Sequence, residues 1–403
     1  MIDSLRDANP AAVSRHSNRE AADMATDRRP DDPILSVGER VRSSARSSAL
    51  GAATRVATPV LKLSDRLRAR TVPFSAFPKA PGACIAATAH YSTPGRVFLA
   101  PAVDSLLGAA PTVACAVFVY GPKSADAVAQ ELRDAGLEGS PPVEVVSEAD
   151  AVSQLLEPGS RVVVIDTKLS GSPWGLTWAH KAVFRDLVLS NHVFERGVTH
   201  LVYSEDDMAL APDALHYWCD YRAPLAEHGL MPGFLRVEGP DGDLCVTGWR
   251  RESRGRPRVA LPSTSPGGQT SETVWFVNFS NPYQAMYVLD EELANWHFRY
   301  SDFRSRGRAK VARTQLPAWG VPERAAAGPI FDGAIPEGFS SRNVLPLVGN
   351  GSSAYPLAAS LIRHLPQKDY NDPDVPQGKQ RVAAAFALDG APVDVEEAGS
   401  GPL

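Results

Sequence analysis

The chain has 403 residues, and 44% of them are apolar, which is enough to bury a sizeable core in one large or two ordinary domains. Its formal net charge of −5 gives no sign of general nucleic-acid binding. The sequence contains no run of about 18 apolar residues, the length needed to span a membrane, and its amino-terminal segment lacks the apolar stretch of a signal peptide. We therefore expect a cytoplasmic protein. The widely spaced cysteines form no CxxC pair, which argues against structural zinc and indicates reduced thiols.

The first 80 residues are predicted to lie outside the main core. Residues 1–33 are polar and predicted to be disordered. Residues 34–80 are predicted to form a basic amphipathic helix or linker, because apolar side chains recur at helical spacing beside arginines and lysines. One interpretation places residues 55–70 on an anionic membrane surface, as a peripheral contact at the inner face. The other is a solvated helix packed loosely on the domain.

Residues 81–212 have the pattern of an α/β domain. Short apolar runs predict strands over 84–90, 113–120, 143–146, 161–166 and 199–204. Between them, helices are predicted over 124–135, with a serine cap, and over 176–196. This alternation predicts a Rossmann-type, mostly parallel sheet covered on both faces, in which ligands bind beyond the carboxyl ends of the strands.

Residues 213–371 read differently, because predicted strands follow one another without helices between them. After a helix over 214–227, strands are predicted twice within 234–249 and again over 274–279 and 285–289. This pattern predicts a mixed or antiparallel subdomain on the acceptor side. The proline- and glycine-rich stretches 254–268 and 316–339 are predicted to be functional lids or disordered loops, and residues 372–403 a tail.

The acidic triplet Glu205-Asp206-Asp207 follows directly on the last of the buried strands. Three neighbouring carboxylates repel each other unless positive charge lies among them, and a bound Mn²⁺ or Mg²⁺ ion would supply it. Because such ions also take phosphate oxygens, the triplet predicts a site for a nucleotide diphosphate. The alternative is that the acids cap the next helix, although Asp213 can do so without them.

The segment from Trp178 to Met208, WAHKAVFRDLVLSNHVFERGVTHLVYSEDDM, resembles the part of GT-A nucleotide-sugar glycosyltransferases in which a basic helix precedes a strand ending in the acidic DxD motif. The resemblance extends over residues 83–300 and implies a GT-A-like fold, a divalent cation and a nucleotide-sugar donor. It also implies that Glu205 contacts the ribose or sugar and that Asp207 holds the cation, with Asp206 between them. This sequence has glutamate where the family usually has aspartate first. The acceptor, whether a glycan, a lipid-linked sugar or a small molecule, is left open.

The resemblance also implies further donor-site residues. Thr88, His90 and Tyr91 end the first strand, where the family holds the base and ribose. Lys181 and Arg185 share a face of the predicted helix at i, i+4 spacing and would offer positive charge to a diphosphate. The alternatives are a turn in which His90 is simply satisfied and a helix face that is simply solvated.

The second half of the chain contains further candidate residues for binding the cation and for catalysis. Resemblance implies that a late histidine, His364, returns to the cation together with Asp207 and Glu205, and neutral imidazole is an acceptable ligand of Mn²⁺. An inverting transferase needs a carboxylate base for the acceptor hydroxyl, and the candidates are Asp290, Asp302 and Asp332. Asp290 also suits a helix N-cap. A retaining mechanism would need no such base.

Two other functions remain open at this point. A nucleotidyltransferase has a similar fold, but its loop after the first strand is usually glycine-rich and basic, and Gly95-Arg96 is a poor substitute. The chain could also be a non-catalytic protein that binds a sugar or nucleotide on the same fold. Metal-dependent binding of nucleotides would distinguish the transferases from an inert scaffold.

Overall fold

The computed structural model describes residues 79–93, 95–169, 173–239, 244–246, 256–263, 273–278, 284–306, 324–326, 343–349 and 355–366. All of them belong to the compact unit Ser64–Leu403. The predicted disorder of 1–33, residues 34–78 of the predicted helix or linker with the proposed membrane contact 55–70, the candidate base Asp332 and the predicted tail lie outside these residues. Within them, no helix is both long and apolar enough to cross a membrane.

The described elements alternate between strands and helices up to Ser204 and then consist mainly of strands. The strands are β1 (Ala83–Tyr91), β2 (Thr112–Tyr120), β3 (Val143–Val146), β4 (Arg161–Asp166), β5 (Val198–Ser204), β6 (Met208–Leu210), β7 (Met231–Pro232), β8 (Leu235–Glu238), β9 (Cys245–Val246), β10 (Arg256–Pro262), β11 (Thr273–Asn278), β12 (Met286–Leu289), β13 (Asn343–Val348), β14 (Tyr355–Pro356) and β15 (Leu361–His364). The helices are α1 (Leu99–Leu107), α2 (Ala125–Asp134), α3 (Ala151–Leu155), α4 (Ala179–Leu189), α5 (Ala214–Ala226) and α6 (Glu291–Tyr300). The five strands predicted in the first half are thereby confirmed.

Six of the described strands form a central sheet in the order β12-β5-β1-β2-β4-β3. Its members pair in parallel except for β12, which is antiparallel to β5. Strands β1 and β2 are buried along almost their whole length, because helices cover both faces and the strands read as continuous apolar runs. The predicted α/β class with a mostly parallel sheet is confirmed.

Strand β12 comes from the second half of the chain but completes the sheet of the first. Its register sets Met286 opposite Ser204 and Leu289 opposite Leu201. It therefore runs from the carboxyl end of β5 toward the amino end, and whatever follows it begins at the amino end of the sheet. The sequence predicted this strand but not its partner.

The predicted long helix over 176–196 is wrong, because the chain breaks it into three pieces. A 3₁₀ segment covers Pro173–Trp178, α4 follows, and a second 3₁₀ segment covers Val193–Arg196. His192 and Gly197 flank the second segment in left-handed conformation, with φ of 48° and 92°. A helix cannot continue through such residues.

Most of the described strands after β5 belong to two smaller sheets. One contains β10, β11, β13 and β14 in antiparallel order, with β7 added in parallel to β13. The prediction of a lid or disordered loop over 254–268 is wrong for residues 256–262, which form β10. Among the described strands, β10 is at the edge of its sheet, where Pro257 and Pro262 cost few ladder hydrogen bonds.

The other small sheet has the described order β6-β15-β8-β9 and begins right after the acidic triplet. Strand β15 pairs antiparallel with β6 and parallel with β8. The strands predicted within 234–249 are confirmed as β8 and β9, which pair antiparallel. Neither β6 nor β15 was predicted, and together they join the end of the central sheet to the last described segment of the chain.

Candidate functional site

The order of strands in the central sheet reverses between β1 and β5. From β1 the chain builds outward through β2 to β4 and β3, and it then returns to place β5 on the other side of β1. In open parallel sheets, ligands bind in the crevice that forms at such a point, beyond the carboxyl ends of the two strands. His90 lies near the end of β1 and Asp206 just after β5, and their side chains meet there.

Asp206 is held by two partners from the β1 side of this crevice. Nδ1 of His90 lies 2.7 Å from Oδ2 of Asp206, and Nη1 of Arg96 lies 3.2 Å from the same oxygen. Asp206 and His90 are buried, whereas the Arg96 side chain is 43% exposed. Arg96 therefore presents its guanidinium to the crevice while it balances the charge of Asp206.

Asp207 and Glu238 both meet His364, because β6 begins where β15 and β8 end. Antiparallel pairing sets His364 of β15 opposite Met208 of β6, next to Asp207. Parallel pairing of β15 with β8 brings Glu238, the last residue of β8, level with His364. Nε2 of His364 lies 3.2 Å from Oδ2 of Asp207, and Nδ1 donates to Oε1 of Glu238, since a carboxylate can only accept.

The charge of His364 is set by these two carboxylates. Burial lowers the pKa of His364, but the hydrogen bonds to Asp207 and Glu238 raise it by more, so the net shift is upward from the usual 6.5. The raised pKa favours the protonated, positively charged imidazole between the two acids. Part of the charge balance that the sequence assigned to a cation is supplied here by His364 and, at Asp206, by Arg96.

Asp207 and His364 nevertheless fit a divalent cation. Two neighbouring ligands of an octahedral ion with bonds of about 2.1 Å lie ~3 Å apart, close to the observed 3.2 Å between Oδ2 and Nε2. A carboxylate with an imidazole favours Mn²⁺ over Mg²⁺. In the part of the chain that the structure describes, no three His, Cys, Asp or Glu side chains form a cation site, so water molecules or the oxygens of a bound diphosphate would complete the coordination.

Glu205, the first acid of the triplet, is not brought to Asp207 and His364 as a third ligand. Its backbone N–H donates to the carbonyl of Ala285 at 2.9 Å, which extends the pairing between β5 and β12. Its side chain is partly exposed at the rim of the crevice. The structure therefore separates the three acids, with Asp206 facing β1, Asp207 facing β15 and Glu205 beside β12.

Lys181 and Arg185 do not form one cationic surface. Arg185 is exposed, whereas Lys181 is only 2% exposed and lies below the crevice. Nζ of Lys181 is 3.1 Å from Nε2 of His297 and 4.3 Å from the ring centre of Tyr287. The pKa of His297 is lowered, first by burial and then by Lys181, so the neutral ring can accept the hydrogen bond.

A buried aromatic stack lies directly beneath the triplet. The rings of Tyr203 and His180 stack at 3.7 Å, and Nε2 of His180 is 2.7 Å from the hydroxyl of Tyr287. Burial raises the pKa of Tyr203 well above its usual value, and the nearby carboxylates of Glu205 and Asp206 raise it further. Tyr203 and Tyr287 are thus kept neutral.

The other predicted donor residues on β1 are divided between its two faces. Thr88 is two residues before His90 on the same face but is fully buried, so it is covered from any ligand in the crevice. Tyr91 points to the opposite face, where its ring lies 6.2 Å from that of Tyr120. Of the three, only His90 takes part in the cluster around Asp206.

The candidate bases are also separated. Asp290 follows β12 and lies at the amino end of the central sheet, roughly 15 to 20 Å along β5 from the triplet. It caps α6 by accepting from the N–H of Leu293, and it binds Nε of Arg222 at 2.9 Å. The structure therefore does not bring Asp290 to the triplet. The N-cap interpretation of the same residue is confirmed.

Asp302 lies on the other side. Helix α6 runs back along β12, since His297 contacts Tyr287. The 3₁₀ turn Asp302–Arg304 that follows is close to Arg306, whose guanidinium lies against Gly175 beyond the carboxyl end of β4. The backbone thus returns Asp302 to the carboxyl side of the sheet, and Asp302 stays a prediction.

A cavity of about 320 Å³ lies at the amino end of the sheet. Its lining includes Lys79, His200, Trp218, Arg222, Asp290 and Glu292. Arg222 is 1% exposed and is ion-paired with Asp290 and, at 3.5 Å, with Glu292. The charged groups that line the cavity are thus mostly paired with each other.

Sequence reasoning missed two residues of the carboxyl-end site, Arg96 and Glu238. Each had a signal of the same kind as the triplet. Arg96 is a basic residue in the loop after the first buried strand, and Glu238 is an acid that ends an otherwise mainly apolar strand. What the sequence does not show is that these strand ends meet.

No protein-family model and no curated relative matches the chain. Among solved structures, it is similar to the mannose-1-phosphate geranyltransferase from Thermus thermophilus, with 10% sequence identity and a TM-score of 0.26 over 66% of this chain and 73% of that one. A likeness of this size supports no conclusion about activity. The α/β fold rests on the strand pairing described above.

Proposed function

We propose that the chain is a cation-dependent transferase that binds a nucleotide-sugar in the crevice between the carboxyl ends of β1 and β5 and moves the sugar to an acceptor. The observation that carries the proposal is the pairing of Asp207 with His364 beside the cluster of Asp206, His90 and Arg96 at this crevice. It is the place where a sheet of this kind binds a ligand. The crevice also offers both positively and negatively charged side chains to a ligand.

The residues have separate roles in this proposal. Asp207 and His364 would hold Mn²⁺ together with oxygens of the donor diphosphate, and the ion would neutralise charge on the departing diphosphate. Arg96 binds a phosphate oxygen through its exposed guanidinium. His90 keeps Asp206 in place below the donor. Glu205, at the rim, is left to bind the sugar or ribose hydroxyls.

The transfer breaks the bond between the anomeric carbon and the diphosphate oxygen and forms a bond from that carbon to an acceptor oxygen. The acceptor hydroxyl loses its proton in the process, and the diphosphate leaves with the bonding electron pair. If the transfer inverts the anomeric centre, a carboxylate takes this proton. Asp302 is the described candidate on the correct side of the sheet, and Asp332 lies outside the described residues.

The test is a thermal-shift screen against UDP-, GDP-, CMP- and dTDP-sugars, with and without Mn²⁺, followed by calorimetry on the nucleotide that binds. We expect one base to give a shift that requires Mn²⁺. Asp207→Ala should weaken this binding by at least roughly 100-fold, beyond the range seen when supporting residues of metal sites are removed. The melting temperature without ligand should change little.

Asp213→Ala is the matched control, because Asp213 is an exposed acid just before α5 whose side chain makes no capping hydrogen bond. It should bind like the wild type. The proposal is wrong if no nucleotide gives a shift that depends on Mn²⁺, or if the Asp207→Ala protein keeps the shift.

One observation favours a second candidate, nucleotidyl transfer. Arg96, in the loop after β1, reaches the crevice and contacts Asp206, so this loop does contribute a basic residue. Incubation with a nucleoside triphosphate and a sugar 1-phosphate separates the two candidates. Release of pyrophosphate would favour nucleotidyl transfer, whereas release of a nucleotide from the intact donor supports sugar transfer.

A further inference from the structure

The three strands β6, β15 and β8 place a third residue at the Asp207–His364 pair. Because His364 is paired with Met208 on one side and lies level with Glu238 on the other, the imidazole is fixed between two acids that come from different strands. Glu238 is 126 residues away from His364 in sequence. The contact therefore depends on the strand register and not on a local turn.

Glu238 is buried as a carboxylate. Its side chain is 0% exposed and that of His364 is 4% exposed. Burying a carboxylate is unfavourable unless it is paired and hydrogen-bonded, so a glutamate at this position needs a donor. The N–H at Nδ1 of His364 is one such donor. A glutamate used only for packing would be replaced at lower cost by an apolar residue.

We propose that Glu238 is a positioning residue for the cation, a role that rests on the cation site of the proposed function. By accepting from Nδ1 of His364, it fixes the ring orientation in which Nε2 faces Oδ2 of Asp207. A cation at Nε2 would displace the proton from that nitrogen, while Glu238 keeps the remaining proton on Nδ1, and a negative partner there makes the lone pair on Nε2 a better ligand. Carboxylates that accept from the second nitrogen of a metal-binding histidine act in this way.

The consequence is that Glu238 affects the cation without touching it. Removing its charge should weaken Mn²⁺ binding by about 10- to 100-fold, the range found when such partners are removed. It should also change the contribution of the His364 nitrogen to the spectrum of bound Mn²⁺. A residue that serves the fold alone would change neither property in a protein that is still folded.

The experiment measures binding of Mn²⁺ alone to the full chain by electron paramagnetic resonance, with pulsed detection of the ¹⁴N coupling from a bound imidazole. Glu238→Gln keeps the shape and removes the charge, and Glu238→Asp keeps the charge. We expect a 10- to 100-fold loss and an altered ¹⁴N coupling in Glu238→Gln, with partial recovery of affinity in Glu238→Asp. Glu144→Gln, at an exposed position of β3, is the control and should behave as the wild type.

The outcomes separate this inference from the proposed function. If the wild type binds no Mn²⁺, the proposed cation site itself fails. If the wild type binds Mn²⁺ with a ¹⁴N coupling and Glu238→Gln binds it equally well with the same coupling, the role of Glu238 is wrong. If Glu238→Gln does not fold, Glu238→Asp decides. An Mn²⁺ affinity below that of the wild type, together with a changed ¹⁴N coupling, supports the role. An unchanged affinity and coupling overturn it.

Discussion

The two ends of the central sheet both carry acids that follow strands, yet they use them differently. At the carboxyl end, Asp206 and Asp207 contact residues from three separate strands or loops, namely His90, Arg96 and His364. At the amino end, Asp290 binds the helix that it begins and Arg222 on α5. The first set encloses a crevice at a reversal of strand order. In the second set, the charged groups pair with one another.

The difference shows that the position of an acidic residue in the sheet indicates its role better than its neighbours in the sequence do. The triplet and the run Asp290-Glu291-Glu292 look alike as three acids after an apolar strand. At the amino end, however, Glu291 pairs with Lys79 at 3.1 Å and Glu292 with Arg222, so that the acids serve mutual pairing and the helix start. We interpret the carboxyl end as the functional site and the amino end as part of the framework.

The largest expected effect is on the free energy of unfolding, and it tests the structural role that we assign to the amino end. Asp290→Ala removes the closer of the two described ion-pair partners of the buried Arg222 and also removes the cap of α6. We expect a loss of about 3 kcal/mol from the broken ion pair and about 1 kcal/mol from the cap. Asp290→Asn keeps the cap and should lose only the first part. Urea unfolding measures both.

Nucleotide affinity is the control for the same two variants. Both should bind the donor nucleotide as the wild type does, since Asp290 lies at the far end of β5. If Asp290→Asn instead keeps its stability and loses turnover while binding the donor normally, Asp290 is the base after all and the contrast between the two ends is wrong.

The first half of the fold could be predicted because its strands are continuous apolar runs. β4 begins and ends where the sequence indicated, since a parallel strand covered on both faces is apolar over its buried residues. Strands β6 and β15 are three and four residues long, and nothing in their composition distinguishes them from loops. The break of the predicted helix at His192 depends on a left-handed residue that is not glycine, which sequence patterns do not indicate.

The site could be predicted only in part for a related reason. The triplet was found because it follows an apolar strand, and His364 was proposed from a family resemblance. Glu238 and Arg96 reach the site through the register of β8 with β15 and the course of the loop after β1, which are long-range properties. The direction of β12 is another such property, and it removes Asp290 from the site.

A second test sharpens the comparison through pH. His200, at the amino end, lies 3.3 Å from the sulfur of Cys219 and near Lys79. Burial, and then the charge of Lys79, lowers its pKa from 6.5 to about 4. The unfolded chain therefore takes up this proton first as the pH falls. The contribution of His200 to the free energy of unfolding is complete above pH 6.5, is lost between 6.5 and about 4, and is constant below that.

The size of this loss is on the order of 3 kcal/mol for His200 alone. Because His180 and His297 are also buried with lowered pKa values, the measurement is the difference between His200→Gln and the wild type in urea unfolding from pH 7.5 to 4. The variant should lose less stability over this range. His192→Gln, at an exposed position, should follow the wild type. Equal slopes for His200→Gln and wild type would mean that His200 is not kept neutral by burial.

The smallest expected effect concerns Arg96 at the carboxyl end, whose side chain is 43% exposed and so is screened by solvent. Arg96→Gln should lower the affinity for a nucleoside diphosphate about 10-fold and leave that for the bare nucleoside unchanged, because the guanidinium acts on phosphate. Arg185→Gln, on the exposed face of α4, should change neither, which also tests the original prediction for that residue. If Arg96→Gln weakens the nucleoside and the diphosphate equally, Arg96 acts by holding Asp206 in place. The carboxyl end would then pair its own charges as the amino end does, and the contrast between the two ends would rest on Asp207 and His364 alone.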